Sequence, residues 1–127
     1  MKKLVILRHA KSSWDYPELS DYERPLNSRG KKDAEMMSFK LSERLGYIDL
    51  LISSSSERTK LTYDYFKNKI KFNKELFTDE LYHASSQEII SVIKGADSEV
   101  NSLLVLGHNP GLTETVNILT NHHLYNL

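Results

Sequence analysis

Cysteine is absent from this 127-residue chain. Disulfides, thiolate metal sites and thiolate nucleophiles are therefore excluded, and a cysteine-based phosphatase with them. An excess of either charge is also absent, because 17 basic side chains balance 17 acidic ones. That balance leaves no electrostatic footprint for nucleic acid or an anionic membrane surface, so neither is expected as a partner. No apolar run approaches membrane length, and the one after Met1-Lys2-Lys3 is too short for a signal peptide. Nucleotide loops of the GxxxxGK[ST] or GxGxxG kind do not occur, and no carboxylate cluster has magnesium spacing. No internal repeat or low-complexity linker breaks the chain. The expectation is a soluble cytoplasmic protein with a single domain over residues 1–127.

What is present starts with Leu4-Val5-Ile6-Leu7, which runs straight into Arg8-His9. A continuous apolar run with β-branched members reads as a strand buried on both faces. Arg8 and His9 then stand at its carboxyl end, the edge of an open α/β sheet where ligands bind. Arg8 offers a planar cation suited to oxyanions, and His9 a nucleophile or proton carrier near neutral pH.

Residues 11–25 show no helical or strand period, and Trp14 and Tyr16 argue that this loop is ordered. Arg24, late in the loop, can fold back towards Arg8. Asn27 or Ser28 can cap a helix running to Leu45. Ala34, Met37, Leu41 and Leu45 share one face, which reads as core, and Gly46 sits where a left-handed C-terminal residue is wanted.

Ile48–Ile52 is a second buried strand, ending in a serine run that caps the next helix and puts Arg58 in its first turn. A cation there opposes the helix dipole, yet beside free backbone N–H groups it makes a good anion site. Leu76-Phe77 reads as a short edge strand. Ser85 and Glu88 form a capping box ahead of a helix with Ile89, Ile90 and Ile93. Leu103–Leu106 is a third buried strand, delivering Gly107-His108-Asn109. Asn109 can cap a helix, Pro110 fits its first position, and Leu112, Val116 and Leu119 give its apolar face.

Strands alternating with helices imply a parallel sheet with right-handed crossovers. The fold class is α/β, a three-layer α/β/α arrangement with a mostly parallel central sheet. All strand ends then lie on one edge, so Arg8, His9, Arg58 and His108 should converge. Two guanidiniums and two imidazoles around one point suit a tetrahedral dianion such as a phosphoryl group. No metal and no cofactor are expected, because two arginines repel a divalent cation.

Arg8-His9-Ala10-Lys11-Ser12-Ser13-Trp14, Arg24-Pro25-Leu26 with Gly30, Ser54 with Arg58-Thr59, and Gly107-His108-Asn109-Pro110 together resemble the histidine phosphatase superfamily. They look most like its short branch, the SixA-type phosphohistidine phosphatases. The resemblance implies a phosphoglycerate mutase-like fold and a metal-independent phosphatase in which His9 becomes phosphorylated and water releases phosphate. Arg8, Arg58 and His108 would hold the phosphoryl oxygens, with Arg24 as a further phosphate or substrate contact. Glu80 stands near the place of the family's general acid, where a surface role is the alternative. The implied substrate is a phosphohistidine protein or a small phosphomonoester. The competing reading is a phosphate- or phosphoprotein-binding module without catalysis. Short members of the family continue beyond Leu124-Tyr125-Asn126-Leu127 with strands that pack beside the first. The expectation is thus a domain lacking its C-terminal strands, with an exposed edge that invites self-association.

Overall fold

The computed structural model describes residues 2–121. Its elements are β1 (Lys3–Arg8), α1 (Ser28–Arg44), β2 (Tyr47–Ser54), α2 (Glu57–Lys67), β3 (Lys71–Thr78), α3 (Ser86–Lys94), β4 (Ser102–Gly107) and α4 (Gly111–Thr120). Short 3-10 turns lie at Asp21–Glu23 and Asp79–Leu81. The strands form one parallel sheet in the order β1-β4-β2-β3.

Strands β1 and β4 carry the apolar runs that mark them in the sequence, and alternation splits each between two cores. Val5, Leu7, Leu104 and Leu106 pack with Leu41 of α1 and with Tyr63 and Phe66 of α2. Ile6, Leu103 and Val105 pack on the other face with Ile89 of α3 and Leu112 of α4. The result is three layers, with α1 and α2 on one side and α3 and α4 on the other. Each such side chain removed from water contributes about 1.5–3 kcal/mol relative to exposure. The central strand β4 contributes most densely, since Leu104, Val105 and Leu106 are at most 1% exposed.

Register then fixes the functional edge. Arg8 pairs with Gly107, Ser53 with Leu106, and Ser54 with Thr78. The carboxyl ends of β1, β4 and β2 therefore lie side by side. Among the described residues β1 pairs only with β4 and is an edge of the sheet. None of the helices described is long and apolar enough to cross a membrane. The segment Leu124–Leu127 lies outside the described residues.

Several local expectations change. The edge strand β3 spans eight residues rather than two, because its Lys71, Asn73, Lys74 and Glu75 face solvent and hide the pattern. Gly46 has no positive φ; α1 ends at Leu45 in an extended conformation. Met37 and Leu119 are 46% and 49% exposed, so neither belongs to the core stripe assigned to it. Pro110 precedes α4 instead of opening it. Asn109 does cap, its Oδ1 accepting from the Thr113 N–H at 3.1 Å and from the Thr113 hydroxyl at 2.8 Å. The α1 cap is Asn27, whose Oδ1 accepts from Gly30 N–H at 2.7 Å. The capping box of α3 forms as expected, with Ser85 N–H donating to Glu88 at 3.0 Å and Glu88 N–H donating back at 3.2 Å.

Candidate active site

The loop between β1 and α1 has no repeating pattern, yet it is pinned along its length. Ala10 N–H donates to the Thr62 hydroxyl of α2 at 3.0 Å, Ser13 N–H to Pro25 O at 2.8 Å, and Asn27 N–H to Lys11 O at 3.0 Å. Gly30 makes this closure possible. A Cβ on Gly30 would stand 2.1 Å from Lys11 O, so only glycine lets α1 start against the backbone beside His9.

His9 follows β1, and its Nδ1 lies 2.7 Å from Ala10 O. A carbonyl only accepts, so Nδ1 carries the hydrogen and Nε2 keeps a lone pair. That lone pair faces Arg58, whose Nε–H donates to it at 3.4 Å. Burial lowers the His9 pKa to about 4; Arg58, Arg8 and Arg24 add to the fall, and the Ala10 bond opposes it. At neutral pH the ring is thus uncharged with an unprotonated Nε2, the state a nucleophile needs.

His108 follows β4, is 3% exposed, and its ring lies 5.1 Å from that of His9. Its Nδ1 is 3.3 Å from Arg58 Nη2 and its Nε2 is 2.8 Å from Ser54 Oγ. A guanidinium only donates, so Nδ1 accepts and Nε2–H donates to the serine. Burial, then the neighbouring His9, Arg58 and His83, lower its pKa to about 3 against the opposing pull of Asp21.

Arg58, in the first turn of α2 and 3% exposed, lies between the two imidazoles. Its unfavourable place at a helix N-terminus is offset from an unexpected quarter. Nη1 donates to Asp21 O at 2.6 Å and Nη2 to the Asp21 carboxylate at 3.0 Å. Asp21 also accepts from Arg24 at 2.9 Å and Tyr82 at 2.6 Å, and lies 2.9 Å from His83 Nε2. Partial burial pushes the Asp21 carboxyl up. The hydrogen bonds from Tyr82, His83, Arg24 and Arg58 outweigh that and hold it well below the usual carboxylate range.

A cleft of about 920 Å³ opens over these groups, lined among others by Arg8, His9, Asp21, Arg24, Arg58 and His83. Arg8, His9 and Arg58 line this cleft together, and His108, buried and outside its lining, is brought beside them with its ring 5.1 Å from that of His9. Arg24 lines the same cleft, with Nε on Ser13 O at 2.9 Å and its guanidinium carbon 3.2 Å from the Trp14 ring centroid. Glu80 sits apart, exposed in the 79–81 turn and outside the lining of the cleft. Asp21, Tyr82 and His83 are not found by reading the sequence. The spacing of Asp21 three residues before Arg24 is the one signal that could have suggested an ion pair. Among the described residues no group of three or more His, Cys, Asp or Glu side chains is placed to hold a metal ion.

Comparison with known proteins places the fold. No family model matches the chain. The crystal structure of a candidate phosphohistidine phosphatase SixA from Agrobacterium tumefaciens superimposes with a TM-score of 0.87. It is 31% identical, over 94% of this chain and 76% of that one. An uncharacterised chloroplastic protein of Arabidopsis thaliana is 31% identical over 94% of this chain, which spans 59% of that protein's length. Phosphoserine phosphatase 1 of Hydrogenobacter thermophilus is 39% identical over 49% of this chain and 29% of its own length.

Proposed function

Since the chain belongs to the histidine phosphatase superfamily, in its SixA-like branch, we propose that it is a phosphatase working through a phosphohistidine intermediate on His9. The observation that carries this reading is the fixed tautomer of His9, with its Nε2 lone pair beside the Arg58 guanidinium. In the first step Nε2 attacks phosphorus, the bond to the leaving group breaks, and the phosphoryl group passes to His9. In the second, water attacks phosphorus, the P–N bond breaks, and phosphate departs.

Arg8 and Arg58 supply the fixed positive charge that stabilises the transferring group. An arriving dianion opposes the repulsion that Arg58 adds to the burial of the two imidazoles, and so raises the proton affinity of both. Two guanidiniums do the charge neutralisation that other phosphatases assign to a metal. The substrate is a phosphohistidine protein or a small phosphomonoester. The name of the Agrobacterium protein supports the first and that of the Hydrogenobacter protein the second.

The test is turnover of an aryl phosphate with and without chelator. Wild type should release phosphate equally in both, and His9→Ala should release none. Undiminished turnover by His9→Ala would overturn the reading, and vanadate binding without any turnover would favour a binding module.

A further inference from the structure

The phosphatase reading above, on which this inference rests, still lacks a donor for the leaving group's proton. Glu80 lies outside the lining of the cleft, and the Tyr82 hydroxyl is committed to Asp21. Of the imidazoles that line the cleft, His83 is the one that lies against both the imidazole of His108 and the ring of Tyr82. Its ring is 5.4 Å from that of His108 and 4.2 Å from that of Tyr82.

The ring is held at one end. Its Nε2 lies 2.9 Å from the Asp21 carboxylate, which only accepts, so Nε2 carries a hydrogen. Nδ1 makes no hydrogen bond among the described residues. The backbone of His83 adopts φ 51°, in the left-handed region, where histidine, like asparagine and aspartate, is found more often than other side chains. The side chain is 54% exposed, so it can exchange protons with water. The charged and titratable groups around it are Asp21 from the β1–α1 loop and Tyr82 beside it. His108 faces it from the β4–α4 turn, and Arg58 acts by way of Asp21.

We propose that His83 is the acid that protonates the leaving group, with Asp21 as the residue that positions it. As Nε2 of His9 bonds to phosphorus and the P–O bond breaks, His83 in its doubly protonated form keeps its Nε2 hydrogen on Asp21 and gives its Nδ1 proton to the departing oxygen, and an alcohol leaves. His83 is then neutral. It takes a proton from the water that attacks phosphohistidine, and the P–N bond breaks to release phosphate. The enzyme returns to its starting state, with one water consumed per phosphoester.

The experiment is kcat/KM for aryl phosphates whose leaving phenols span a wide range of acidity, in wild type and in His83→Asn. Asparagine tolerates the left-handed backbone and cannot supply this proton. Any loss of folded protein scales all substrates alike, so the slope against leaving-group acidity is read free of it. The expected result is a steeper slope in the variant. The most basic leaving group should lose on the order of 100-fold and the most acidic about threefold or less. An unchanged slope overturns the assignment. Absence of turnover by wild type on every ester sinks the phosphatase reading itself, and this inference with it.

Discussion

Asp21 grips Arg58 twice, through its backbone carbonyl at 2.6 Å and its carboxylate at 3.0 Å. An arginine buried at a helix N-terminus is held in place by the first residue of a short 3-10 turn in the β1–α1 loop. The loop thereby becomes part of the anion site, and the guanidinium stays aimed between His9 and His108.

Replacement of Asp21 by Asn separates charge from position. The site becomes more positive, so vanadate should bind at least as tightly as to wild type. Arg58 loses its ionic partner, and kcat should fall on the order of 10-fold or more. A vanadate titration alongside kcat checks this; weaker vanadate binding with unchanged kcat would contradict it.

Acid should destabilise the fold before its carboxylates titrate. His9 and His108 have pKa values near 4 and 3, below the unfolded value of 6.5. Between pH 6.5 and about 4 the unfolded chain therefore binds more protons than the folded one, and stability falls as pH falls. For His9 alone the full shift corresponds to about 3 kcal/mol. Urea midpoints measured at pH 7 and pH 4.5 should show the loss, and the double variant His9→Asn, His108→Asn should flatten it. Inorganic phosphate should oppose it by binding the folded state.

Glycine substitutions should part company according to what their Cβ meets. Gly30→Ala forces a methyl against Lys11 O at 2.1 Å, which should cost about 1–3 kcal/mol and lower activity by moving the backbone next to His9. Gly46→Ala meets nothing within 4 Å and needs no positive φ, so it should be neutral or stabilising by about 0.4–1 kcal/mol. Thermal unfolding of both variants checks the contrast.

Much of this was legible in the chain because the information was local. Strand β4 is buried on both faces and its apolar run stands out. Strand β1 carries a similar run although it is a sheet edge among the described residues, with Leu4 39% exposed and no residue fully buried. The groups the two strands deliver, Arg8, His9 and His108, can still be placed on one edge by topology alone. Arg58 could be placed for the same reason, as the first turn after a buried strand. Strand β3 was half hidden because an edge strand needs few apolar residues; Leu76 itself is 51% exposed. Met37 matched the helical stripe and yet lines the cleft, since a period identifies a face without saying what covers it. Asp21, Tyr82 and His83 could not be read at all. Their meeting depends on two loops closing over the sheet edge, where Tyr22 and Ser55 both donate to Asp79, and no spacing in sequence encodes that.

The central claim is that His9 carries the phosphoryl group between two steps. Rapid acid-free quenching of the protein during turnover of a phosphorylated substrate, followed by intact-mass and peptide analysis, tests it directly. The account predicts one added phosphoryl group, labile to acid and stable to base, on the peptide containing His9 and missing from His9→Ala. Steady turnover with no phosphoryl group on that peptide, or with the group on another residue, would contradict it.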